Sequence, residues 1–107
     1  MSCAVEFTTG ARQDLLKIYH YIKTAGSPEA AKRMSDQLSK ACSSLSQNPE
    51  RGNVPSEIEG LSEMLYRQIV IKNYRIIYQI IGKVVIIQGI IDGRRNIREV
   101  MRQRLLI

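Results

Sequence analysis

Arginine is the residue type in this chain best suited to chemistry, and Arg67, Arg75, Arg94, Arg95 and Arg98 all fall in its second half. A guanidinium stays charged at physiological pH and presents a planar fork of donors that matches phosphate and carboxylate oxygens. Holding a phosphate is not the same as cleaving it. Chemistry on a bound phosphate also needs groups that take up and give up protons. Candidates for those proton transfers are few. His20 is the only histidine and has no evident Cys, Asp or Ser partner, so it reads as a surface or packing residue. Asp92 precedes Gly93-Arg94-Arg95 and can act as a base, but a carboxyl is a weak proton donor near neutral pH unless its pKa is raised. Tyr19 and Tyr21 read as parts of a packed helix rather than as stacking platforms for bases. Cys3 and Cys42 read as buried small apolar residues.

The formal charge of +6 is unevenly spread: residues 1–63 carry seven Lys/Arg against eight Asp/Glu, and residues 64–107 carry nine against two. The basic half points to a nucleic-acid-bound or acidic partner, with a plain solvated basic face as the alternative. A length of 107 residues and a hydrophobic content of 44% suit one domain over 1–107 with one core. The longest apolar run, residues 84–91, is interrupted by Gln88 and Gly89 and is far too short to span a membrane. The opening MSCAVEF lacks the basic region and apolar stretch of a secretory signal, and two distant cysteines make neither a disulfide framework nor a metal site. A cytoplasmic protein without metal or cofactor is expected.

The elements that must position the arginines follow from periodicity. Residues 3–7 alternate as a short strand, and Thr8 or Thr9 can cap a helix whose apolar face is Ala11, Leu15, Ile18, Tyr19 and Ile22. After Gly26, Ser27-Pro28-Glu29 opens a second helix with Ser as cap and Pro at its first position. Its face is Ala31, Met34, Leu38, Ala41, Cys42 and Leu45, and Asn48-Pro49 ends it. The short connection predicts an antiparallel helical hairpin. Residues 50–63 read as a loop. Residues 65–96 read as three strands joined at Lys72-Asn73 and Gly82-Lys83, where Asn or Gly tolerates positive φ. Ile97, Val100, Met101 and Leu105 return to helical spacing, with Asn96 or Asp92 as cap.

Those turns assign faces to the meander. Leu65, Arg67, Ile69, Ile71, Tyr74, Ile76, Tyr78, Ile80, Val85, Ile87 and Ile91 are expected on the face that meets the helical hairpin. The other face carries Tyr66, Gln68, Val70, Lys72, Arg75, Ile77, Gln79, Ile86, Gln88 and Ile90, and the C-terminal segment or a partner must cover its apolar part.

In this order, ARQDLLKIYHYI, SPEAAKRM closing on LSQNPERG, YRQIVI, YRIIYQI and VVIIQGIIDGRRNI make the chain resemble the RelE/ParE superfamily of bacterial toxins from type II toxin–antitoxin systems, in particular the ParE branch. The resemblance covers nearly the whole chain. It implies an α+β fold of order β-α-α-β-β-β with a C-terminal helix, an antiparallel meander packed on a helical hairpin. It also implies a toxin held inactive in a hetero-oligomer by a cognate antitoxin encoded beside it. RelE-like members are ribosome-dependent mRNA endonucleases that use basic residues around the second strand, an arginine on a later strand and a Tyr or His near the C-terminus. ParE-like members bind DNA gyrase and poison it.

This sequence departs from the nuclease pattern. No lysine lies between Arg51 and Arg67, residues 56–63 are acidic, and the last strand ends on Asp92 with no Tyr or His after it. The preferred reading is therefore a gyrase-binding toxin that is not an enzyme, the alternative an mRNA endonuclease acting on the ribosome. Arg75, Arg94, Arg95, Arg98, Tyr66 and Gln68 are expected to contact the target or the antitoxin. Arg67, on the face read as core, is expected to be structural, reaching a carbonyl or carboxylate at the sheet edge, or to touch phosphate. No catalytic residue or metal ligand is assigned.

Overall fold

Side-chain caps start each helix. In the computed structural model, which describes residues 2–61 and 65–105, Thr8 Oγ1 accepts from Ala11 N–H at 3.1 Å and opens α1 (Thr9–Ala25). Ser27 Oγ accepts from Ala30 N–H at 3.1 Å and opens α2 (Pro28–Ser44) with proline at its first position. Asn96 Oδ1 accepts from Glu99 N–H at 3.1 Å at the start of α3 (Ile97–Leu105).

The strands are β1 (Ala4–Phe7), β2 (Arg67–Ile71), β3 (Tyr74–Ile81) and β4 (Val84–Asp92), in the spatial order β1-β4-β3-β2. β2, β3 and β4 form the antiparallel meander, and β1 joins β4 in parallel, making the sheet mixed. Two-residue turns connect the meander as expected, but Lys72 rather than Asn73 takes the positive φ, at 55°, while Gly82 takes 61° in the second turn. The segment read as a plain loop contains two 3₁₀ turns, Pro49–Arg51 and Ser56–Ile58, and Asn53 bridges Gln68 at the sheet edge. The end of that loop, Ser62 and Glu63, lies outside the described residues.

Two apolar clusters divide the molecule. On one face α1 and α2 cover Ile69, Tyr74, Ile76, Tyr78, Val85, Ile87 and Ile90 with Ala11, Leu38, Ala41, Cys42 and Leu45. On the other, α3 and the second 3₁₀ turn cover Ile77 and Ile91 with Ile58, Tyr66, Ile97 and Met101. Burial pushes the Cys42 thiol up to about 12, whereas Cys3, expected to be buried, is half-exposed at the start of the chain. Leu65, assigned to the core face, precedes β2 and is exposed.

Ile90 and Ile91 are exchanged relative to the alternation expected from sequence. The register slips between Ile77 and Tyr78, which face Gly89 and Ile87, so Gln88 is an extra residue in β4. A one-residue bulge reverses the facing of everything beyond it. Ile90 therefore enters the hairpin core and Ile91 the α3 core.

At this bulge the two layers are clasped together. β1 accompanies β4 only from Val84 to Ile87, leaving the next main-chain groups of β4 on an open edge. Asp14 of α1, 8% exposed, accepts from Ile90 N–H at 2.9 Å. Arg104 of α3 donates to Gln88 O at 3.1 Å and forks onto both Asp14 oxygens at 2.8 and 2.7 Å. A Cβ on Gly89 would stand 2.8 Å from Arg104 Nη1 and push the guanidinium off its partner. Asp14→Ala should lower the unfolding free energy by about 2–4 kcal/mol in denaturant titration, because Ile90 N–H and a half-buried guanidinium lose their acceptor. A loss below about 0.5 kcal/mol, the range of ordinary surface substitutions, would mean that the clasp does not hold the edge.

Candidate binding groove

The expected site residues separate into two groups on opposite faces of the sheet. Arg75, on the outer face of β3, is already engaged: its guanidinium forks onto Glu57 at 2.6 and 3.0 Å and its Nε donates to Gln68 Oε1 at 2.6 Å. The hydrogen bond from Arg75 holds the Glu57 carboxyl below its ordinary pKa. Arg98 donates to Glu57 O at 3.0 Å, joining α3 to the same turn. Tyr66, on the sheet face expected to be covered by the C-terminal segment or a partner, is 5% exposed within the α3 cluster. Arg67 donates to Gly52 O at 2.9 Å, beside Tyr78, whose hydroxyl accepts from Gly52 N–H and donates to Pro49 O. Arg75, Gln68, Arg98 and Tyr66 thus share one neighbourhood with internal partners.

Arg94 and Arg95 lie elsewhere. They stand at the mouth of a groove of about 650 Å³ between α1 and the far end of β4. Its apolar floor comes from Ile18, Ile22, Met34, Tyr74 and Ile90, and Asp14 closes it toward the clasp. Lys17, Tyr21, Arg94 and Arg95 also line it, and Tyr21, read from sequence as a packing residue, is 66% exposed. Among the described residues the side chains of Lys17 and Arg95 make no ion pair.

Asp92 is committed locally. Its Oδ1 accepts from Arg94 N–H at 2.9 Å and from Arg94 Nε at 3.1 Å, while Oδ2 accepts from Nη2 at 2.8 Å. These bonds hold its carboxyl down to about 2, so it is ionised at neutral pH and is a poor proton donor. Burial, followed by the negative charge of Asp92, pushes the Tyr74 hydroxyl up. The arrangement can therefore receive negative charge at Lys17 and Arg95 and apolar side chains on its floor.

Sequence reasoning missed Lys17, Tyr21 and Tyr74 as groove residues and Asp14 and Arg104 as their support. One signal was available: Asp14 interrupts the apolar stripe from Ala11 to Ile18, and a carboxylate on a core-facing stripe requires a partner. The partner, ninety residues away, had no local signature. Among the described residues no helix is long and apolar enough to cross a membrane, and no cluster of His, Cys, Asp and Glu could hold a metal ion.

Residues 5–97 match the family model described as the ParE toxin of the type II toxin–antitoxin system parDE. No curated protein matches the sequence. Among solved structures, the fold is similar to a chain of the chromosomal ParDE toxin–antitoxin system from P. aeruginosa, with a TM-score of 0.72, 22% identity, and 85% of this chain and 96% of that one covered. A chain of the toxin–antitoxin complex RelBE2 from Mycobacterium tuberculosis superposes with a TM-score of 0.62 at 23% identity, covering 86% and 99% of the two chains. A mutant of the E. coli toxin RelE in the free state gives 0.62 at 17% identity, covering 100% of both.

The groove mouth has a defined pH response. Because the folded Asp92 pKa is depressed, its pairing with Arg94 stabilises the fold above the ordinary carboxyl pKa, near 4, and that contribution is lost as the pH falls through about 2. Carboxyl-detected NMR should give a midpoint of about 2 for Asp92, and Arg94→Ala should raise it. An unchanged midpoint in the variant would remove Arg94 as the cause.

Proposed function

The chain belongs to the ParE toxin family of type II toxin–antitoxin systems, and from that premise we propose that it acts by binding DNA gyrase and is neutralised by an antitoxin that occupies the groove beside α1. The observation that carries this reading is the division of the arginines. Arg75, the phosphate ligand that a nuclease would need on this strand, is occupied by Glu57 and Gln68. Asp92, at the position where a nuclease would need a proton donor, is ionised and bonded through both oxygens. Arg95 and Lys17 instead stand over an apolar floor, which suits recognition of an acidic, amphipathic segment. On this reading the protein works in the cytoplasm, where gyrase is.

In a supercoiling and cleavage assay the purified protein should block gyrase and trap cleaved DNA, and expression without antitoxin should arrest replication before translation. Unaffected gyrase at excess toxin, together with new cuts at the ribosomal A site of translated messages, would replace this reading with ribosome-dependent RNA cleavage. For the antitoxin, the double substitution Arg94→Glu and Arg95→Glu should weaken the complex by more than about tenfold at low salt and less at high salt, since exposed charges are screened. Unchanged affinity would take the groove mouth out of the interface.

A further inference from the structure

At the edge of the sheet remote from β1, the register of β2 decides which groups face outward. Asn53 N–H donates to Gln68 O at 3.1 Å and Gln68 N–H to Asn53 O at 2.8 Å, so Gln68 and, two residues on, Val70 turn their main chain away from β3. Asn53 closes Gln68, whereas Val70 N–H and C=O have no hydrogen-bond partner among the described residues. Continued antiparallel from this bridge, the line of the chain brings Arg51 beside Val70. There it no longer runs as a strand. It curls into the 3₁₀ turn Pro49–Arg51, which the Tyr78 hydroxyl holds by donating to Pro49 O at 2.6 Å and accepting from Gly52 N–H at 3.0 Å. Between this edge and α2 lies a second groove, of about 480 Å³, which shares no lining residue with the groove beside α1. Its apolar strip is Ala41, Val70 and Ile71, and its charged residues are Lys40 of α2, Arg51 of the 3₁₀ turn and Lys72 of the β2–β3 turn, with no carboxylate among them. Among the described residues these three cations make no ion pair. Arg51 Nη2 donates to Ser44 Oγ at 2.9 Å, which anchors the guanidinium on α2 through one of its donors.

We propose that this second groove binds the phosphodiester backbone of DNA, with Lys40, Arg51 and Lys72 each neutralising a phosphate. The gyrase reading above enters only in the choice of DNA over RNA, since a toxin bound to gyrase meets the DNA that gyrase holds. Three cations carried by three separate elements around an apolar strip suit a strand whose charged phosphates alternate with sugars. No aromatic ring lines the groove to stack on a base, so the contact is made to the backbone and is independent of sequence. An acidic peptide added as a strand on β2 fits less well. Within β2 it would find open outward groups at Val70 alone, and the turn held by Tyr78 carries Arg51 onto the line it would take. A second copy of this chain, with a charge of +6, would bring like charges together.

Fluorescence anisotropy of a labelled DNA duplex, titrated with the purified protein at rising salt, tests this. The logarithm of the association constant should fall with that of the salt concentration at a slope of about −2.7, the value for three neutralised phosphates. The triple substitution Lys40→Glu, Arg51→Glu and Lys72→Glu should weaken binding by more than about tenfold at low salt and flatten the slope. Lys40→Gln, Arg51→Gln and Lys72→Gln together should give the same direction of loss with the thermal unfolding midpoint kept, which separates lost binding from lost folding. A control with the same change of net charge on other exposed residues, Lys23→Glu, Arg33→Glu and Lys83→Glu, should weaken binding by less than about threefold. An equal loss in the control assigns binding to diffuse charge and overturns the groove. Wild-type protein that leaves the duplex free at low salt, or that binds an RNA oligonucleotide and no DNA, overturns it as well. Gyrase assays on the same preparations keep the two readings apart. Inhibited gyrase without DNA binding by the toxin removes the groove and leaves the gyrase reading, whereas DNA binding lost in the groove variants with gyrase unaffected by the wild type removes the gyrase reading and leaves the groove.

Discussion

The rest of the structure depends on the contact between Asp14 and Arg104. A sheet covered on both faces must still close where a short strand ends beside a longer one, and β4 outruns β1 by five residues. A carboxylate from one layer and a guanidinium from the other satisfy the exposed main chain of β4 and each other in one cluster. Unpaired main-chain groups at a sheet edge invite pairing with other chains. Here the same bonds that close part of the edge tie α3 to α1. Half-buried charges are costly singly and tolerable only as a satisfied set, so neither residue can be replaced alone at little cost.

The bulge at Gln88 is the geometric counterpart of that clasp. It directs Gln88 C=O and Ile90 N–H toward Arg104 and Asp14, and it passes Ile90 to the hairpin core and Ile91 to the α3 core. Gly89 beside it leaves room for the guanidinium to approach the strand. One inserted residue thus allows both cores to be filled and brings the end of β4, with Asp92 and the following arginines, to the mouth of the groove.

The basic charge of the second half is divided by the fold into arginines that hold the molecule together and cations that face outward. Arg67, Arg75, Arg98 and Arg104 are consumed by carbonyls and carboxylates of the chain itself, whereas Arg95 and Lys17 are not. Arg94 lies between, exposed yet bonded to Asp92. Net charge therefore overstated how much of this surface is free to meet a partner.

By itself the sequence determined the helices, the Ser27 cap, the two hairpin turns and the family, and narrowed the other caps to Thr8 or Thr9 and Asn96 or Asp92, of which the structure uses Thr8 and Asn96, because caps, turns and periodicity are local and act within a few residues. It also separated the two sheet faces as far as Ile87, where strict alternation holds. Only the tertiary structure decided the facing of β4 beyond that point and the partners of the charged side chains. A bulge has no reliable local signature, so the exchange of Ile90 and Ile91 had to await strand pairing. Arg75 reads the same in sequence whether it meets Glu57 or a phosphate, and Asp14 reads as an interruption until Arg104 arrives from ninety residues away. Which charges are spent and which are free is a property of long-range contacts.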